Sequence, residues 1–231
     1  MHKPLFLFMY HKNDVVTRST YNQLEKTESR HSIVPICEYN SYLPNTYNCS
    51  TEPWQFHHHE TWVRADSLIY KYVLEKARYV RKHSAVVILE WDVWWNPVST
   101  EWINRTLADA DMAGPEIMTQ QRDPGWGWFN ESCNNMIKKY MLGIRPFSVI
   151  ICRPEILVKA SKFIRDNKFM HNVKNCEVRF ATAFNAVQGK IGLLPDKYAK
   201  TIKWHEWDLN CGKQDVIIHP VKTESQLLRV R

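Results

Sequence analysis

Apolar positions along the chain alternate between two rhythms. Short unbroken runs fall at Leu5–Tyr10, Ser32–Cys37, Ala85–Leu89, Ser148–Cys152, Ile191–Leu194 and Val216–His219, each of a length that suits a buried strand. Between them, apolar residues return every third or fourth position. The clearest such stretch is Glu60–Arg81, where Trp62, Ala65, Ile69, Tyr72, Val73, Ala77 and Val80 form one stripe and predict a long helix. A second helix is predicted from Pro154, which fits a first helical turn, with Ile156, Leu157, Ala160, Phe163 and Ile164 in register. Glu177–Gln188 predicts a third, closed by Gly189, and Thr17–Arg30 a fourth, with Thr20 and Gln23 at capping-box spacing. Residues 39–59 are rich in turn formers and predict an irregular loop. Strands alternating with helices on this scale imply an α/β fold, a three-layer α/β/α sandwich around a mostly parallel central sheet.

Size narrows this to one domain of 231 residues, with a nucleotide-binding half expected over about 1–96 and an acceptor-binding half over about 97–231. The net charge of +7 is spread along the chain without an arginine-rich tract, so nucleic acid is not the expected partner. No segment approaches the ~20 apolar residues of a membrane span. The first apolar run is short for the core of a signal peptide, and a cytoplasmic location is expected. Six cysteines without a CxxC pair are then expected to be reduced and several of them to lie in the core, and the sequons at Asn48, Asn104 and Asn130 to be chance matches. Ten Trp, ten Tyr and nine Phe exceed ordinary packing needs, and aromatic faces suit sugars and bases as well as cores.

Candidate chemistry starts at SAVVILEWDVWWNP, residues 84–97, where a greasy run ends in Glu90 and Asp92. If the strand continues through them, both carboxylates project to one face and Trp91 to the other. They would lie at the carboxyl end of a buried strand, where open α/β sheets place their ligands. Two carboxylates about 5 Å apart repel by roughly 3 kcal/mol at an effective dielectric of 20. A divalent cation reverses the sign, and oxygen ligands suit Mg²⁺ or Mn²⁺.

These residues, with others in the same order, resemble the nucleotide-sugar-dependent glycosyltransferases of the GT-A fold, the small enzymes of large DNA viruses among them. The acidic pair in VVILEWD stands where the family has its DxD-type motif. WVRAD precedes it, and FSVIICRPEIL, NCEVRFATAFNAVQGKIGLLP and VIIHPVK follow, spanning roughly residues 5–222. The resemblance implies transfer of a sugar from a nucleotide-diphosphate donor to a hydroxyl of a glycan or glycoconjugate, in the host cytoplasm if the source is viral. It further implies that Asp92, Glu90 and His219 hold Mn²⁺ or Mg²⁺, and that Lys222 neutralises phosphate. Tyr10, His11, Asp14, Arg64 and Asp66 would hold the nucleotide and diphosphate. Glu177 would be the base of an inverting displacement, although Cys176 stands where many relatives have a second acid.

Each feature has a plainer competitor. His219 fits a core histidine beside a turn proline, and Glu177 a helix N-terminal acid favoured by the macrodipole. Adjacent His57, His58 and His59 cannot all face one ion on regular structure. DPGWGWFN, with Trp126 and Trp128 between glycines, reads as a sugar or acceptor platform, or as a plug over the core. Trp94 and Trp95 are expected to pack beneath the metal site. Two rival functions are a metal-dependent nuclease and a non-catalytic carbohydrate-binding module. The first lacks a lysine just after the acidic pair, and the second is usually all-β.

Overall fold

The computed structural model describes residues 3–28, 32–38, 42–49, 65–131, 135, 137–203 and 215–230. The chain opens with β1 (Leu5–Met9), α1 (Val15–Thr27), β2 (Ile33–Cys37) and the short β3 (Tyr47–Asn48). Next come α2 (Ala65–Glu75), α3 (Ala77–Val80), β4 (Val86–Glu90), β5 (Trp94–Asn96) and α4 (Glu101–Asp109). The short β6 (Met112–Gly114), β7 (Glu116–Met118), α5 (Gly127–Glu131), β8 (Gly143–Arg145) and β9 (Val149–Cys152) follow. The last third holds α6 (Pro154–Asp166), α7 (Cys176–Ala186), β10 (Ile191–Leu193), α8 (Asp196–Ala199), β11 (Val216–Ile218) and α9 (Glu224–Val230).

Seven strands form the central sheet in the order β10-β6-β9-β4-β1-β2-β3. All neighbours run parallel except β9, which is antiparallel to both β4 and β6. The two-residue period of a strand sorts each one between two cores. Leu5, Leu7 and Met9 of β1, with Val86 and Ile88 of β4, pack on Leu68, Ile69 and Val73 of α2 and on α6 and α7. Phe6, Phe8, Val87 and Leu89 face the other way, onto Tyr21 and Leu24 of α1 and Trp102, Ile103 and Leu107 of α4. Both sides of the sheet are therefore covered, which accounts for strands that read as continuous apolar runs. The expected three-layer sandwich is present.

Local expectations need three corrections. The predicted Glu60–Arg81 helix is broken at Lys76 (φ −110°, ψ 25°) into α2 and α3, and its first residues lie outside the described ones. α1 is capped by Asp14, whose Oδ1 accepts the Thr17 N–H at 2.8 Å, and not by a box at Thr20 and Gln23. Thr20 instead sits inside the helix, its hydroxyl donating to the Trp91 carbonyl at 2.6 Å and strapping α1 to the end of β4. The Val216–His219 run does not join the central sheet: β11 pairs antiparallel with β5 in a separate two-stranded ribbon. Cys37, Cys49, Cys152 and Cys176 are buried and in no disulfide, as expected of reduced core thiols; Cys133 and Cys211 lie outside the described residues.

Candidate functional site

The parallel strands β1, β2 and β4 deliver Tyr10, His11, Glu38 and Glu90 to the carboxyl edge of the sheet. β4 stops at Glu90, where the chain turns and the Val93 N–H donates back to the Glu90 carbonyl at 3.2 Å. Asp92 therefore lies in the turn and not one pleat further along the strand. Trp91 packs against the core on the α1 side of the sheet, opposite the face of Val86 and Ile88 as alternation expects, and it also lines the cavity with Glu90 and Asp92, edge-on to His11 at 5.5 Å with the Lys12 ammonium 3.6 Å from its ring centre. Trp94 and Trp95 are buried in β5, with Trp95 against Phe6 and Trp102.

The C-terminal segment closes the site. The Val221 N–H donates to the Asp92 carbonyl at 2.8 Å, and the β11–β5 ribbon carries the chain to His219. His219 Nδ1 lies 2.7 Å from the Lys203 carbonyl. A carbonyl only accepts, so Nδ1 carries a proton and Nε2 is the ring nitrogen that faces the acids. Nε2 is 3.5 Å from Asp92 Oδ1 and 3.8 Å from Glu90 Oε2. Burial alone would lower the His219 pKa, yet the two carboxylates outweigh it and the net direction is upward. Burial and the charge of Asp92 push the Glu90 carboxyl up.

One donor atom each from Glu90, Asp92 and His219 lie within 4.8 Å of one another, and Asp92 Oδ1 is buried without a hydrogen-bond partner. A buried carboxylate oxygen left unmatched costs free energy that a cation would recover. Two carboxylates and an imidazole, the last oriented by a main-chain carbonyl, are a donor set suited to a divalent ion such as Mn²⁺ or Mg²⁺. The residues present fit such an ion.

Glu177 reaches the same cavity, of about 360 Å³, from the first turn of α7. Asn175 caps that helix by accepting the Glu177 N–H at 2.6 Å. The Glu177 side chain is 2% exposed, and its Oε2 has no hydrogen-bond partner. Burial pushes its pKa up to about 8 against the opposing pull of the Phe147 N–H and Arg145. A carboxyl so placed can take up a proton near neutral pH. Lys222 and His11 line the cavity as well.

Tyr10, His11 and Glu38 border a smaller recess that shares Glu90 and Trp91 with the main cavity. The Tyr10 hydroxyl also anchors the neighbouring loop, accepting the Tyr42 N–H at 3.0 Å. Two residues expected to hold the donor have protein partners in this structure. Asp14 does not line the cavity: it caps α1 and pairs with Lys12 at 3.0 Å, contacts that hold its pKa down although its partial burial works the other way. Asp66 is fully buried, and both its oxygens are taken by the Arg179 guanidinium, leaving none for a nucleotide. Arg64 and His57–His59 lie outside the described residues. Trp126 and Trp128 border a separate groove next to the cavity, with Pro146 lining both. Each also packs against the core, so platform and plug are not exclusive readings.

Reading the chain alone did not single out Glu38, an acid just past the carboxyl end of β2 that borders the smaller recess. It also missed the Lys203 carbonyl, which no sequence pattern marks.

No protein-family model and no curated protein sequence matches the chain. Solved structures do. An active-site mutant of LgtC is similar over 84% of this chain and 73% of its own, at 10% identity and a TM-score of 0.50. The fold is of the GT-A type. Galactosyltransferase LgtC in complex with donor and acceptor sugar analogs aligns over 84% and 74%, at 11% identity and a TM-score of 0.49. Mouse xyloside xylosyltransferase 1 aligns over 94% and 97%, at 10% identity and a TM-score of 0.45. Among the described residues, no helix is long and apolar enough to cross a membrane.

Proposed function

We propose that this chain is a metal-dependent glycosyltransferase, moving a sugar from a nucleotide-diphosphate donor to a hydroxyl of a glycan or glycoconjugate. One observation carries the reading. Glu90, Asp92 and His219 converge in a single cavity with Glu177 and Lys222, in a GT-A-type fold. Glu90, Asp92 and His219 would hold Mn²⁺ or Mg²⁺, which when bound stabilises the negative charge of a diphosphate. Lys222, exposed at the rim, adds a second positive charge. His11 and Trp91 offer ring faces and edges, and Glu38 a carboxylate, for base and ribose.

In the transfer, the acceptor oxygen forms a bond to the anomeric carbon while the bond from that carbon to the diphosphate oxygen breaks. The nucleoside diphosphate leaves with the electron pair, and Glu177 takes the acceptor's proton, which corresponds to inversion at the anomeric carbon. Phe147 and Cys176 line the cavity beside Glu177.

Thermal-shift measurements with UDP-, GDP-, CDP- and dTDP-sugars, with and without Mn²⁺, test the reading. Stabilisation by one nucleotide only in the presence of metal is expected. Indifference to all four in both conditions would refute it.

A further inference from the structure

The groove bordered by Trp126 and Trp128 encloses about 860 Å³, in the size range of sites that take a small organic ligand. Its aromatic wall is held rigidly. A Cβ on Gly143 would come within 2.2 Å of the Trp126 ring, so the ring rests directly on that backbone. Phe129 meets it edge-on at 4.8 Å. A fixed indole offers a flat apolar face to the C–H face of a sugar without losing side-chain entropy on binding.

Charge on the other walls is lopsided. Three basic residues, Arg145, Lys200 and Lys203, line the groove against one acid, Glu116. That acid is already matched, by Arg145 at 2.9 Å and Arg122 at 3.6 Å. Lys200 and Lys203 are both exposed, and among the described residues no acidic side chain pairs with either. The segment they stand on is tied to the site already described, since the Lys203 carbonyl orients His219 and Pro146 lines both spaces.

We propose that this groove takes an anionic saccharide, its ring on Trp126 or Trp128 and its carboxylate or phosphate held by Lys200 and Lys203. In the transferase reading this saccharide is the acceptor. That role rests on the reading; the binding itself requires neither metal nor nucleotide. Both anions accept charge-assisted hydrogen bonds from ammonium groups, which is the shared chemistry. A neutral sugar would keep the stacking and forgo the ionic contacts.

Glucose, glucuronate, glucose 6-phosphate and inorganic phosphate, titrated at low salt without metal or nucleotide and followed by tryptophan fluorescence, test the proposal. Glucuronate or glucose 6-phosphate is expected to bind about ten-fold tighter than glucose, the equivalent of one good ionic contact. Preference for one of the two anionic sugars assigns the carboxylate or the phosphate. The double variant Lys200→Glu/Lys203→Glu should lose the preference, Lys200→Arg/Lys203→Arg should keep it, and Trp126→Ala should weaken all three sugars. The idea falls if glucose binds as well as both anionic sugars, if neither anionic sugar binds, or if the Glu variant keeps the preference. It falls too if inorganic phosphate matches glucose 6-phosphate and Trp126→Ala changes nothing. Failure of Mn²⁺ and nucleotide sugars to stabilise the protein would sink the transferase reading and leave this result standing.

Discussion

Glu177 and Arg179 stand two residues apart on α7, so at 100° per residue they leave the helix in nearly opposite directions, and each enters a buried charged group. On one side, Arg179 meets Asp66 of α2 through two nitrogens and also donates to the carbonyls of Val173 and Lys174. Both partners are fully buried, and both Asp66 oxygens are matched. On the other side, Glu177 faces Glu90, Asp92 and His219, with two carboxylate oxygens left unmatched. The first group is closed and the second open. A closed group joins helices and stays out of reach of any ligand; an open one of similar burial stores an unmet demand for a cation and a proton. Buried charge by itself therefore says little about function, and the unmatched atoms say more.

The largest effect that would separate the two groups is on stability. Arg179→Ala would strand the Asp66 carboxylate in the core, a loss of about 3–5 kcal/mol in urea unfolding. A loss near zero would show the pair is not closed as described. Next, Glu177→Gln is expected to cut turnover by about 10²–10⁴-fold with the fold retained. Because the base must be deprotonated, wild-type turnover should climb with pH through about 8 and level off above it, and the Gln variant should lose that rise. The same carboxyl is protonated in the folded protein up to about pH 8 but only to near 4.5 when unfolded, so it makes stability fall as pH rises between those values. Denaturant melts of Glu177→Gln should show a shallower fall; an unchanged slope would refute the burial argument.

A smaller effect is metal-linked. With free Mn²⁺ at about 100 times its dissociation constant, the wild type should gain about 2.7 kcal/mol. Asp92→Ala should gain nothing and yet melt no lower than the metal-free wild type, because the variant loses a carboxylate with an unmatched oxygen. Equal metal responses in the two proteins would remove Asp92 from the ligand set. Smallest, Gly143→Ala would push the Trp126 ring off its seat and weaken sugar binding several-fold by fluorescence titration, leaving the Mn²⁺ response unchanged. Unaltered sugar affinity would place the platform elsewhere.

What could be read along the chain was what depends on near neighbours. β1, β2, β4, α6 and α7 were all visible because periodicity and caps act over a few residues, and so was an acidic tip on a buried strand. The convergence of His219 with that tip followed from a family resemblance and from no local pattern. The antiparallel run of β9, the β5–β11 ribbon and the Asp66–Arg179 pair, 113 residues apart in sequence, are decided by which surfaces meet in three dimensions. Asp14 shows the limit most simply. An acid after a strand suits a ligand contact and a helix cap equally, and only the position of Thr17 distinguishes them.

The ribbon of β5 and β11 has a consequence for biosynthesis. All seven strands of the central sheet precede residue 194, whereas the imidazole and the rim ammonium arrive at His219 and Lys222. A ribosome-bound chain could thus fold its scaffold well before it could capture an ion. In the transferase reading, activity would switch on only once β11 had left the exit tunnel and paired with Trp94–Asn96.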